Sequence, residues 1–204
     1  MIPRIFHHVW LGRKPLPTLF DRFRNQFRDL HPDWDHRFWT EDDCQQLDCK
    51  ALLNAWPNQA SRSNAARLEI LSRYGGVYVD TDVEPLKSFD PLLQVDAFAA
   101  EEYRGRVCNA VMGSVPQHPW VLWQLEALPR YKKKRPPWGP LLATEAYKEM
   151  VKQGVEVSLY PTTHFYPYLW NQLSLRGSNE YPKSYAVHHW AISWNPRIAW
   201  ETSK

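Results

Sequence analysis

Apolar residues recur at helical spacing in two stretches of the chain. From Thr18 to Leu30, residues Leu19, Phe20, Phe23, Phe27 and Leu30 fall on one face, which predicts a helix capped by Thr18 and stopped at His31-Pro32. From Ser61 to Tyr74, Ala65, Leu68 and Leu71 with Ala66 and Ile70 predict a second helix, ended by Gly75-Gly76. Strands are expected at Ile2–Trp10, Arg37–Trp39 and Val77–Val79, the last apolar throughout, as buried parallel strands are. Thr40 before Glu41-Asp42-Asp43 reads as a capped helix start. Further strands are expected at Ala97–Glu101, Val107–Ser114 and Val155–Leu159, and helices at Trp120–Leu128 and Leu141–Lys152. This alternation predicts one α/β domain, 1–204, with helices flanking a sheet.

Composition narrows the class. With 204 residues, 44% hydrophobic and 23% charged, the chain is long and apolar enough to bury a core. A net charge of +3 is too weak to suggest a nucleic-acid partner. Cys44, Cys49 and Cys108 are odd in number and lack metal-site spacing, so reduced thiols and a cytoplasmic setting are expected. Met1 runs straight into Ile2-Pro3-Arg4 without a leader-like apolar run, and no membrane-spanning stretch is seen. The run Lys132-Lys133-Lys134-Arg135 reads as a solvated loop, or as a contact for an anionic acceptor or the inner membrane face.

The chemistry concentrates in Asn64-x-x-Arg67 and Tyr74-Gly75-Gly76-Val77-Tyr78-Val79-Asp80-Thr81-Asp82. A helix stops at two glycines, and a buried strand then delivers Asp80 and Asp82 at its C-terminal end. In extended chain, side chains at i and i+2 share a face, so both carboxylates look into the crevice where open α/β sheets bind ligands. Two hard oxygen donors there suit Mn²⁺ or Mg²⁺ shared with a diphosphate.

These residues resemble the glycosyltransferases of family 32, the DxD sugar-binding-region group that includes yeast mannosyltransferases. They also resemble the glucosyltransferase domain of large clostridial toxins. Ile2–Gly12 resembles the family's opening strand, and Tyr185–Trp190 with Ser193-Trp194 its closing motif. The resemblance implies a GT-A-type fold with a mixed, mostly parallel sheet, and a metal-dependent transfer of a hexose from a UDP- or GDP-sugar with retention of configuration. The acceptor, glycan or lipid-linked, stays open. By the same resemblance Asp82 is the direct metal ligand, Asp80 contacts ribose and metal water, and Trp10, following Val9, stacks on the base. Arg67 neutralises phosphate or holds the sugar, with an ion pair to either aspartate as its structural alternative. Tyr78 either touches ribose or base or packs in the core.

Of His188 and His189, adjacent and therefore on opposite faces of a strand, the resemblance selects His189 as ligand. Ser193 and Trp194 would donate to the diphosphate. Asn109 is a candidate sugar contact, and Glu101-Glu102 a candidate acceptor contact. The family pattern Ser-Asp-x-x-Arg is Ser63-Asn64-Ala65-Ala66-Arg67 here, so an amide stands where relatives carry a carboxylate. Two other readings remain: a non-catalytic nucleotide-sugar binder, and a DxD phosphohydrolase. The second fits less well because Glu84-Pro85 follows the aspartate pair.

Overall fold

The computed structural model describes residues 1–12, 14–131, 138–177 and 181–191. Strand β1 (Ile5–Val9) leads to helix α1 (Thr18–Leu30) and strand β2 (Asp35–Trp39). Helices α2 (Glu41–Cys44), α3 (Lys50–Ala55) and α4 (Gln59–Tyr74) precede strands β3 (Gly76–Val79) and β4 (Val83–Pro85). Then come β5 (Ala97–Tyr103), β6 (Arg106–Ser114), α5 (Pro119–Ala127), α6 (Trp138–Gln153), β7 (Ser158–Tyr160) and β8 (Ala186–His188).

Six strands form one sheet in the order β2-β1-β3-β6-β5-β7, while β4 and β8 pair as a separate ribbon. Neighbours β1/β2, β1/β3 and β5/β7 are parallel; β3/β6 and β5/β6 are antiparallel. The expected mixed, mostly parallel sheet is therefore present, and the apolar strand Val77–Val79 lies in its middle with one parallel and one antiparallel neighbour.

Alternation along β3 divides the core. Val77 and Val79 join Phe6, Phe27, Phe89, Phe98 and Phe165 on one face, and Tyr78 joins Leu68, Met112, Trp120 and Trp138 on the other. Helix α1 has the expected bounds and buries Phe20, Phe23 and Phe27. Its cap differs from expectation: Pro17 holds the N-cap position, no side chain caps the helix, and Thr18 is its first residue. Thr40 does cap α2, through a reciprocal box with Asp43.

Helix α4 must stop sharply for β3 to enter beside β1. Gly75 and Gly76 sit at φ 62° and 88°, and a Cβ on Gly76 would lie 2.6 Å from the Ile5 carbonyl oxygen. Any side chain there would wedge β3 away from β1.

Candidate functional site

Strand β3 ends at Val79, and the chain turns instead of continuing extended. The Val83 N–H donates to the Asp80 carbonyl at 3.2 Å, closing a turn over residues 80–83. The two carboxylates thus converge through a turn and not, as expected, through strand alternation. The Asp80 N–H bonds the Ala110 carbonyl of β6 at 2.8 Å, which anchors the turn to the sheet.

Arg67, 3% exposed, lies under this turn. Its Nη2 is 3.0 Å from Asp80 Oδ1, Nη1 donates to the Asn109 carbonyl, and Nε donates to the Ser63 carbonyl at 3.3 Å. These are the contacts of the structural alternative: the guanidinium holds Asp80. Tyr78 does likewise. Its ring is 1% exposed, its hydroxyl donates to Asp80 Oδ1 at 2.7 Å, and the Arg67 guanidinium carbon sits 4.2 Å above it. The expected contact of Tyr78 with a ribose or base is corrected by that burial.

A third group completes the cluster. His188 Nε2 is 3.3 Å from Asp82 Oδ1, and ligand atoms of Asp80, Asp82 and His188 all lie within 4.8 Å of one another. His189, the expected ligand, points elsewhere. Its ring nitrogens meet Glu84 Oε2 at 2.9 Å and the Tyr168 hydroxyl at 2.8 Å, and its face stacks on Phe23. The register explains the reversal. In the β4–β8 ribbon Glu84 opposes Val187 and Val83 opposes His188, so His189, two residues past Val187, shares Glu84's face. His188 faces the other way. Its partner Asp82 lies in the turn, outside the alternation of β4.

Charges are tightly coupled. Burial raises the Asp80 pKa, with Arg67 opposing and Asp82 adding to the rise. Burial also works against ionisation of Asp82, but the His188 charge and hydrogen bond and the Ala191 N–H outweigh it and hold the carboxyl at about 2. For His188 the loss of water lowers the pKa, and Asp82 more than reverses this, keeping the imidazole well above its ordinary value. The cluster therefore pairs an imidazolium with a carboxylate when no cation is present.

The remaining candidates spread around this centre. Trp10 is half-buried at the end of β1, edge-on to Phe20, with its indole N–H donating to the Lys14 carbonyl at 2.8 Å. Val9 is buried in the core. Asn109 Nδ2 donates to Asn64 Oδ1 at 2.8 Å, and Gly139 covers both: a Cβ there would lie 2.4 Å from Asn109 Nδ2 and 2.7 Å from Asn64 Nδ2. Glu101 bonds the Gly105 N–H, and Glu102 pairs with Arg106, so each has a local partner. Ser193, Trp194 and Lys132–Arg135 lie outside the described residues. His188, Glu84 and Tyr168 were missed by sequence reasoning; pairing Glu84 with His189 would have needed the ribbon's register.

The site can hold a divalent cation by the chemistry of its donors, since two carboxylates and one imidazole suit Mn²⁺ and, with less affinity for the nitrogen, Mg²⁺. Neutralisation of Asp80 by Arg67 limits the repulsion such a set would otherwise carry.

Comparison with known proteins bears on the fold and on the DXD region. Residues 17–99 match the family model described as a glycosyltransferase sugar-binding region containing a DXD motif. Two relatives from Saccharomyces cerevisiae are mannosyl phosphorylinositol ceramide synthase CSH1, 34% identical over 65% of this chain, and SUR1, 35% identical over 65%. The chain spans 37% and 36% of their lengths. Among solved structures, the PaToxG glycosyltransferase superposes with TM-score 0.60 at 18% identity, covering 74% of this chain and 70% of its own. The galactosyltransferase LgtC, in complex with donor and acceptor sugar analogues, superposes with TM-score 0.54 at 14% identity, covering 97% and 92%. These likenesses establish a glycosyltransferase fold. Among the described residues, no helix is long and apolar enough to cross a membrane. With the DXD region matched over residues 17–99 and the surrounding fold shared, the chain is similar to the DXD sugar-binding-region glycosyltransferases that its motifs resemble.

Proposed function

We propose that this chain transfers a hexose from a nucleotide-sugar donor, with Mn²⁺ or Mg²⁺ held by Asp80, Asp82 and His188. The observation that carries the reading is the convergence of those three side chains within 4.8 Å beyond the central strand. When bound, the cation would neutralise the diphosphate as the sugar departs. The chain's own groups do the rest. Arg67 and Tyr78 fix Asp80 in place, and the Ala191 N–H, 2.7 Å from Asp82 Oδ2, fixes Asp82. Trp10 offers a flat, partly open face for the base. Asn64 and Asn109 bring an amide pair toward the sugar, and Ser193 and Trp194 are diphosphate donors by the family resemblance. By the family resemblance the transfer retains configuration, with the leaving phosphate guiding the acceptor.

The names of the yeast relatives favour a mannosyl donor and an inositol-phosphoceramide-type lipid acceptor as the first pair to try. The binder alternative draws on one observation: Asn64 is already engaged with Asn109. Turnover separates the two. GDP- and UDP-hexoses incubated with Mn²⁺ and a lipid or glycan acceptor should release nucleotide, and EDTA should stop release. Nucleotide-sugar binding without release under any of these conditions would refute transfer and leave the binder.

A further inference from the structure

Helix α1 and strand β2, at the edge of the sheet, enclose a small niche apart from the Asp80–Asp82–His188 cluster. Its walls are Arg24 and Arg28 of α1 and His36 and Phe38 of β2, and His8 of β1 forms its floor. Register explains the assembly. His8 pairs with Phe38 in the parallel β1–β2 ladder, so both side chains stand on the α1 face. Arg37, between His36 and Phe38, turns to the opposite face and lays its guanidinium 4.7 Å from the centre of the Tyr74 ring. Arg24 and Arg28 are one helical turn apart and therefore neighbours. Arg24 is held by Asp21 at 2.9 Å and by the Phe38 ring, 3.8 Å from its guanidinium carbon. Arg28 is exposed, bonds Asn25 at 3.4 Å, and has no ion pair among the described residues. The niche thus presents two guanidinium groups with one of them balanced.

At the floor, His8 is 4% exposed, and its Nε2 has no hydrogen bond among the described residues. The other ring nitrogen, Nδ1, lies 3.0 Å from the Val79 carbonyl oxygen. A carbonyl only accepts, so Nδ1 carries the proton. Burial keeps the ring neutral, with a pKa lowered to about 3, and Nε2 then presents a bare lone pair. Two needs meet in one place: a buried lone pair without a donor, and guanidinium groups short of an anionic acceptor. A water molecule can serve the first need but brings no charge to the second. An oxyanion that still carries a proton serves both. We propose that this niche binds the phosphate group of a phosphomonoester or of inorganic phosphate, its P–OH donating to His8 Nε2 and its anionic oxygens accepting from Arg24 and Arg28. The depth of the niche, about 10 Å³ for the centre of a water-sized group, admits one oxygen, so the rest of the phosphate lies outward against the two arginines. Planar guanidinium groups suit that task because their N–H donors match phosphate oxygens in pairs. The diphosphate of a nucleotide sugar carries no P–OH, so its chemistry does not fit this site.

The test uses the full chain stripped of metal, at neutral pH, where phosphate carries a proton and sulfate does not. Nitrogen-resolved NMR should show the Nε2 resonance of His8 moving saturably as inorganic phosphate is added. Calorimetry should find phosphate bound about tenfold more tightly than sulfate, which leaves the lone pair without a donor. Arg28→Gln, at an exposed position, should keep the fold and weaken phosphate about threefold, and Arg24→Gln combined with Arg28→Gln about tenfold or more. Competition then separates the sources. Displacement of inorganic phosphate by glycerol phosphate alone assigns a soluble monoester, and displacement by phosphatidylcholine vesicles containing phosphatidic acid assigns a lipid headgroup. Displacement by neither assigns inorganic phosphate itself. No saturable shift at His8, equal affinity for sulfate, or unchanged phosphate affinity in the double variant overturns the proposal.

Discussion

Asn109 and Asn64 hydrogen-bond to each other at 2.8 Å beneath Gly139, one turn of α4 away from Arg67. The amide at 64 is therefore part of a closed pair with defined polarity: Asn64 supplies the acceptor and Asn109 the donor. A carboxylate at 64 would accept from Asn109 equally well and would bring a charge beside Arg67. Asn64→Asp should then keep the fold and strengthen hydrogen bonds to donor-sugar hydroxyls, since a charged acceptor is worth roughly 1.5–3 kcal/mol against about 1 for a neutral one. A panel of nucleotide hexoses should show turnover raised about tenfold for at least one donor. Identical rates and identical donor ranking would mean that residue 64 does not meet the sugar.

The two adjacent histidines should behave differently. His188→Ala removes a cluster member and should abolish Mn²⁺ uptake in calorimetry; it also leaves the buried Asp82 without its cationic partner, so a stability loss of roughly 3–5 kcal/mol should accompany it. His189→Ala strips partners from Glu84 and Tyr168 and empties the space over Phe23, so its main effect should be a loss of stability of roughly 2–3 kcal/mol, with Mn²⁺ uptake retained below the new midpoint. The reverse pattern would restore His189 as the ligand.

Arg67 spreads its planar guanidinium over Asp80, the Asn109 carbonyl and both oxygens of Ser63, a span wider than one compact ammonium reaches. Arg67→Lys keeps the charge against Asp80 but abandons the Asn109 or Ser63 carbonyl. Chemical denaturation should register a loss of roughly 2–4 kcal/mol even without ligand. A variant as stable as wild type would show that Arg67 is held for the donor and not for the fold.

For Trp10 the expected outcome lies in binding. Stacking on a base is worth roughly 1–3 kcal/mol, so Trp10→Ala should weaken UDP or GDP binding about 10- to 100-fold, and Trp10→Phe far less. Unchanged affinity in a folded Trp10→Ala protein would leave the indole as a clasp on the Lys14 carbonyl.

Acid should destabilise the sheet through β1. Burial lowers His7 to about 4 and His8 to about 3 against their backbone hydrogen bonds to Gly75 and Val79. Both rings are thus neutral in the native state while the unfolded chain takes up protons near 6.5. Below that pH the unfolded state binds more protons, so stability falls as pH drops, by up to about 1.4 kcal/mol per unit for each ring. The loss from His7 ends near pH 4 and that from His8 near pH 3. Urea midpoints between pH 6.5 and 4 should trace this decline, and His8→Asn should make it shallower by about one proton. An unaltered slope in that variant would mean His8 titrates alike in both states.

The helices with strong periodicity were legible from sequence almost to the residue, because their apolar stripes are also the faces that pack: Phe20, Phe23 and Phe27 of α1, Leu68 and Leu71 of α4. The aspartate pair was legible because glycines and a buried strand frame it. What sequence did not reveal depends on distant register. Val155 was expected to open a strand that begins at Ser158, since pairing with β5 and not local pattern sets that edge. Tyr78 and Arg67 carry polar groups that suit a ligand as well as a neighbour, and only packing reveals that Asp80 is the neighbour. The choice between His188 and His189 turned on which residue of β4 opposes which of β8.

That ribbon has a temporal meaning. The residues joined by the His189–Glu84 bond are 105 positions apart in the chain, and β8 takes no part in the six-stranded sheet. As the chain leaves the ribosome, Asp80 and Asp82 emerge just after β1, β2 and β3, and the sheet strands β5, β6 and β7 follow before His188 does. The molecule can thus acquire its scaffold first and its chemistry last. A chain stalled before β8 would carry all six strands of the main sheet and two of the three cluster side chains, Asp80 and Asp82.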